Sequence, residues 1–184
     1  AVVTADHIIR PVDDFRAALQ HGFDLANTDP TALVTFGVVP TEPNTGFGYL
    51  HRGGRLRPGS RAHQVLEFVE KPSAEVARQY LDSGEYWWNS GMFVWRAATL
   101  LDCLSQLKPQ TRHHVDELVA DPSRLAEVYP CMEKVSVDIA VMEPASHGGC
   151  GVHVAAIPLE IQWYDVGSYE ALAPHLPSDG MGNN

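Results

Sequence analysis

Four short segments place ionisable or hydrogen-bonding side chains where a core strand should be ending. Ala5-Asp6-His7 puts a carboxylate at the end of an apolar run, the edge at which open α/β sheets hold ligands. Aspartate is also a preferred hard-oxygen ligand for Mg²⁺. Phe68-Val69-Glu70-Lys71-Pro72 alternates with period 2, so Glu70 and Lys71 point to opposite faces at a strand end. Glu70 offers an acceptor for hydroxyls, and Lys71 a point charge for a phosphate. In Trp87-Trp88-Asn89-Ser90-Gly91-Met92-Phe93-Val94-Trp95, Asn89 can both donate to and accept from sugar hydroxyls, and Gly91 permits close backbone approach. Trp163-Tyr164-Asp165-Val166-Gly167-Ser168 offers Asp165 as a second metal ligand. Each segment also has a plain structural reading: a capping aspartate, an exposed ion pair, a bulged aromatic strand, and a carboxylate at a helix start.

The elements that must position these groups follow from periodicity and breakers. Residues 1–5 read as a buried strand ending at Asp6-His7. A helix opens near Asp14, with Phe15, Ala18, Leu19, Gly22 and Ala26 at helical spacing. Leu33 to Val39 reads as a buried strand, and Pro40 to Gly46 as a loop. Tyr49-Leu50 and Val65 to Val69 flank a stretch carrying Arg52, Arg55, Arg57 and Arg61, which reads as a solvated hairpin loop. Ser73 caps a helix with Val76, Ala77, Tyr80 and Leu81 on one face, stopped by Gly84. Trp88 to Trp95 is a strand. Two helices follow, separated by Pro109, then a short helix over Val137 to Glu143 and a last strand over Gly151 to Ile157. A further helix is expected to begin near Ser168. Strands alternating with helices are the pattern of an α/β sheet with helices on its faces.

Composition narrows the function classes. The 184 residues are 45% hydrophobic, enough to build a core, and no apolar run approaches the length of a bilayer span. Thirteen basic against 23 acidic residues give a net charge of −10, which argues against nucleic acid or an anionic membrane as partner. Three scattered cysteines, Cys103, Cys131 and Cys150, make no disulfide framework and fit a reducing, cytoplasmic setting. His147, Cys150 and His153 offer three ligands where structural zinc wants four, and His113 and His114 diverge on a helix.

The order of the motifs is more specific than any one of them. Asp6-His7 near a strand end, Thr45-Gly-Phe-Gly-Tyr-Leu50, Phe68-Val-Glu-Lys-Pro72, Trp88-Asn-Ser-Gly-Met-Phe-Val-Trp95, a Ser-x-Asp helix start and Trp163-Tyr-Asp-Val-Gly-Ser168 form a series. Together they resemble the bacterial mannose-1-phosphate guanylyltransferases, from about Val2 to Leu172. The resemblance implies a Rossmann-like (GT-A-like) α/β nucleotidyltransferase sheet with flanking helices. It implies transfer of GMP from GTP to mannose 1-phosphate, giving GDP-mannose and pyrophosphate. On that pattern Asp6 and Asp165 would hold Mg²⁺ between the phosphates, and Lys71 would contact the sugar phosphate. Glu70 and Asn89 would bind the mannose, with Gly48 and Tyr49 beside it. Homo-oligomerisation stays open.

The family's glycine-rich phosphate loop does not occur in these residues. The resemblance therefore implies that 1–173 form the later, sugar-phosphate-binding part of a catalytic domain, incomplete at its N-terminus; the Pro/Gly/Asn-rich residues 174–184 read as a flexible tail. Such a piece would not turn over alone. Phe47 and Tyr169 stand where the pattern has Tyr and Trp. Two other readings are a uridylyl- or thymidylyltransferase on a different hexose phosphate and a non-catalytic sugar-nucleotide-binding regulator; retention of Asp6, Lys71 and Asp165 argues against the latter.

Overall fold

In the computed structural model, which describes residues 1–167 together with Leu172 and Leu176, the chain runs β1 (His7–Arg10), α1 (Val12–Thr28), β2 (Ala32–Val38), β3 (Tyr49–Arg55), β4 (His63–Val69), α2 (Ala74–Ser83), β5 (Tyr86–Val94), α3 (Ala97–Leu107), α4 (Pro109–Ala120), α5 (Leu125–Val128), α6 (Glu143–Ser146), β6 (His153–Leu159) and β7 (Gln162–Asp165). A π-helical turn, Asp138–Met142, leads into α6. The expected helix near Ser168 and the 173/174 boundary lie outside the described residues.

β2 is buried at all seven positions because it is covered on both edges and both faces. It pairs with β5 antiparallel and with β6 parallel. On one face α1 lays down Ala18, Gly22, Leu25 and Ala26. A Cβ at Gly22 would meet Phe36 at 3.2 Å and Val94 at 3.3 Å, so the glycine is what lets this helix sit close. On the other face, Leu33, Leu50, Val65 and Phe68 pack with Cys103 of α3 and with Ala140, Val141 and Met142 of the π turn.

The strands run in the order β2-β5-β3-β4-β6 and close back on β2. β3 is antiparallel to both β4 and β5. β4 and β5 are therefore parallel to each other with β3 between them, and α2 is the crossover. Strand–helix alternation thus reports the parallel relation of β4 and β5 rather than their adjacency. The result is a mixed α/β architecture with a central sheet flanked by helices, as the alternation implies. The caps of α2 are as expected: Ser73 accepts from Val76 N, and Gly84 adopts φ +67°.

Three expectations are corrected. Residues 1–5 are exposed and form no strand; Val2 makes a single bridge to Phe93, and the regular pairing begins at His7. Val2 finds a sheet neighbour on one side only and Val3 lies in no strand, so their apolar character does not lead to burial. Asp6 accordingly precedes a strand instead of ending one. The strand at 153–159 is not the last, since β7 follows and pairs with β1 as a separate two-stranded sheet. The arginine stretch is only partly loop: Arg52 and Arg55 lie on β3, where Arg52 sits over the Trp87 ring at 5.3 Å.

Candidate active site

The β1–β7 pairing brings together residues far apart in sequence. His7 stands opposite Asp165, and Val166 N donates to the Asp6 carbonyl at 3.1 Å. Potential ligand atoms of Asp6, His7 and Asp165 all lie within 4.8 Å of one another, the one such three-residue cluster among the described residues. Gly167 N donates to Asp165 Oδ1 at 3.2 Å; a Cβ there would come within 3.4 Å of Oδ1 and 3.8 Å of Asp6 Oδ2, so a glycine leaves the carboxylates open.

His7 sorts the chemistry of this cluster. Trp163 Nε1 lies 3.0 Å from His7 Nδ1, and an indole N–H can only donate. Nδ1 must therefore accept. Burial holds the His7 imidazole below its ordinary pKa, against the opposing pull of Asp165 and Asp6. In the neutral ring the single proton is then on Nε2, which leaves no lone pair for a cation. The donor set reduces to two carboxylates, a hard-oxygen pair suited to a Mg²⁺-like ion that keeps waters and binds phosphate oxygens. The role of His7, which the sequence leaves open, is to be a ring fixed edge-on to Trp163, with centroids 5.0 Å apart.

Trp163 continues into a row of aromatics. Phe47 lies edge-on to both Trp163 and Trp88. These rings line a cleft of about 710 Å³ that extends from Thr41 and Asn44 to Asp165. A larger groove of about 880 Å³ between α3 and residues 129–141 is mainly apolar and contains none of the motif residues.

Next to Phe47, a second cluster assembles around Gly48. A Cβ at Gly48 would stand 2.7 Å from Glu70 Oε2 and 3.4 Å from Asn89 Cβ, so Glu70 and Asn89 both border the space a side chain would fill. Asn89 N donates to Gly48 O at 2.8 Å. The Asn89 side chain accepts from Thr35 Oγ1 at 2.8 Å and donates to Asp138 Oδ1 at 3.0 Å. Lys71 Nζ is 3.7 Å from Glu70 Oε1, and its side chain is 63% exposed, a weak pair whose cation is free to reach outward. Lys71 also has φ +46°, a left-handed turn that ends β4.

Of the residues singled out by sequence, the structure thus groups Asp6 with Asp165, and Gly48 with Glu70 and Asn89, with Lys71 beside Glu70. Tyr49 is placed otherwise. Its ring is fully buried against Tyr80, and its hydroxyl donates to Asn44 O at 2.9 Å, so it anchors the loop before Gly48. Sequence reasoning gave no role to Asp138, Thr35 or Trp163. A threonine inside a wholly apolar strand was a legible signal for a buried polar contact; Trp163 and His7 are 156 positions apart, and nothing local links them.

Burial raises the Glu70 carboxyl, the Asp138 charge adds to this, and Lys71 partly offsets it. Burial also raises Asp138, opposed by its backbone bond and by Asn89, Ser136 and Lys71. A raised acid binds its proton more tightly folded than unfolded, so its contribution to stability falls as pH climbs from the unfolded to the folded value. Above that window the penalty is complete. Glu70→Gln should therefore raise Tm at neutral pH, and the gain should fade as pH drops toward the ordinary glutamate value of about 4.3. Thermal melts across that range check it.

The chain as a whole is similar to known proteins. The profile of the nucleotidyl transferase family matches residues 1–177. The mannose-1-phosphate guanylyltransferase of Escherichia coli K12 is 38% identical over 181 residues, covering 93% of this chain and 36% of that protein. The xanthan biosynthesis protein XanB of Xanthomonas campestris pv. campestris B100 is 38% identical over 189 residues, 99% of this chain and 38% of the relative. Among solved structures, the mannose-1-phosphate geranyltransferase of Thermus thermophilus superposes with a TM-score of 0.80 at 32% identity, covering 95% of this chain and 48% of that one. The chain thus spans little more than a third of the length of these curated relatives.

Proposed function

Because this chain belongs to the nucleotidyl transferase family, we propose that it supplies the sugar-phosphate and cation-holding part of a mannose-1-phosphate guanylyltransferase. The observation that carries this reading is the carboxylate pair Asp6–Asp165, reduced to oxygen donors by the Trp163–His7 bond. In this reaction the phosphate of mannose 1-phosphate attacks the α-phosphorus of GTP and pyrophosphate leaves. The nucleophile belongs to the substrate, so the protein's work is in-line positioning and charge neutralisation.

Asp6 and Asp165 would hold Mg²⁺, which when bound neutralises charge between the two phosphate groups. Lys71, turned out of β4 by its left-handed backbone, puts a mobile cation within reach of the sugar phosphate. Glu70 accepts from sugar hydroxyls and Asn89 donates to them. Gly48 keeps the space between them empty, and its carbonyl is already engaged by Asn89. Phe47, Trp88 and Trp163 wall the cleft with rings that exclude water from one side.

The reading is tested by titrating the chain with mannose 1-phosphate and Mg²⁺. Saturable binding, weaker for glucose 1-phosphate, is expected; no binding of either at millimolar concentration would overturn it. Asp165→Asn keeps the oxygen that Gly167 N binds but removes the charge. It should weaken Mn²⁺ binding, followed by electron paramagnetic resonance, at least about tenfold. Unchanged affinity would remove the pair from this role.

A further inference from the structure

Asn89 sits between two oxygens that do not agree on which way its amide should face. Thr35 Oγ1 is 2.8 Å from Asn89 Oδ1 and 3.1 Å from Met92 O, and a hydroxyl has a single proton to give. If that proton goes to Asn89, the amide oxygen faces Thr35. If it goes to Met92, Thr35 becomes an acceptor, and a turned amide with its nitrogen toward Thr35 would satisfy it equally well. On this side, then, the two orientations are balanced.

Asp138 breaks the balance. Its Oδ1 lies 3.0 Å from Asn89 Nδ2, and an ionised carboxylate can only accept. A turned amide would set oxygen against oxygen in a half-buried site. We propose that Asp138 is a positioning residue for sugar recognition: its carboxylate locks the Asn89 amide in one orientation, so that an Asn89 N–H stands beside the acceptor Glu70 and reads an adjacent pair of sugar hydroxyls. The identity of that ligand rests on the function proposed above; the lock itself does not.

The support for Asp138 is rigid. It opens the π turn Asp138–Met142, in which Ala140, Val141 and Met142 are buried in the second core cluster. Asn89 is held from the backbone side by its bond to Gly48 O. Among the described residues the remaining Nδ2 hydrogen of Asn89 has no other acceptor. A donor beside an acceptor suits one hydroxyl that accepts and a neighbour that donates, and an epimer at either carbon loses one of the two bonds.

Asp138→Asn tests this with little change of volume, because an asparagine can present either its oxygen or its nitrogen to Asn89. In the ligand-free chain, the side-chain NH₂ resonances of Asn89 should change from one well-defined pair to an exchange-averaged or broadened one. The Kd for mannose 1-phosphate should rise about tenfold. The preference over glucose 1-phosphate should narrow, with no loss of Tm. Thr35→Val, which removes the other partner, should leave the Asn89 amide shifts in place. The lock is overturned if Asp138→Asn leaves the resonances unchanged, or if Thr35→Val is the variant that releases them. A wild-type chain that binds no mannose 1-phosphate overturns the ligand, while the resonances still decide the lock.

Discussion

Gly48→Ala should abolish useful sugar-phosphate binding while leaving the fold intact. The added methyl group would stand 2.7 Å from Glu70 Oε2, inside contact distance. The atom it meets is the far end of a flexible side chain, so the carboxylate can swing away at small cost to stability. That displacement removes the acceptor from the pocket and fills the space beside it. The backbone at Gly48 is not in the left-handed region, so an alanine brings no strain of its own. We expect Kd for mannose 1-phosphate to rise about a hundredfold, or about 2.7 kcal/mol, with Tm within a few degrees of wild type. Calorimetric titration beside a thermal melt separates the two effects. Wild-type affinity would show that Glu70 is not a sugar ligand; a large loss of Tm would show that its carboxylate cannot move.

Gly37→Ala is the opposite case. Its Cβ would meet Trp87 Cε3 at 2.7 Å and Cδ2 at 2.9 Å, atoms of a ring that is buried among Leu33, Leu50 and Phe93. That ring has nowhere to go. Overpacking of this kind costs about 3 kcal/mol, which in a chain of this size lowers Tm by about 9 °C. The site should suffer too, because Gly37 lies where the β2–β5 register shifts and its partner on β5 is Asn89. A melt within about 2 °C of wild type would mean that β2 or Trp87 yields more readily than its packing suggests.

These two glycines also show what a sequence can and cannot reveal. Gly48 was singled out through the resemblance its Thr45–Leu50 segment carries; Gly37, inside a strand of buried apolar residues, carries no mark of the ring it must admit. The strand-like and helix-like segments were legible wherever a local period met a local stop, as at Ser73 and Gly84 or around Pro109. Residues 1–5 and β7 were not, because whether Val2-Val3 or Gln162–Asp165 forms a strand depends on partners distant in sequence. Asp138 escaped for another reason. It opens a π turn, whose i→i+5 bonding follows neither the helical nor the strand period, and its charge reads locally as an ordinary helix start.

The left-handed backbone at Lys71 has a bearing on selection. A side chain held at φ +46° costs on the order of 1 kcal/mol relative to glycine. A library screened for thermal resistance alone would therefore drift toward glycine or asparagine at this position. A library screened for sugar-phosphate binding would hold the lysine against that drift. Position 71 is where the two pressures part, and the residue that survives reveals which of them the chain has been under.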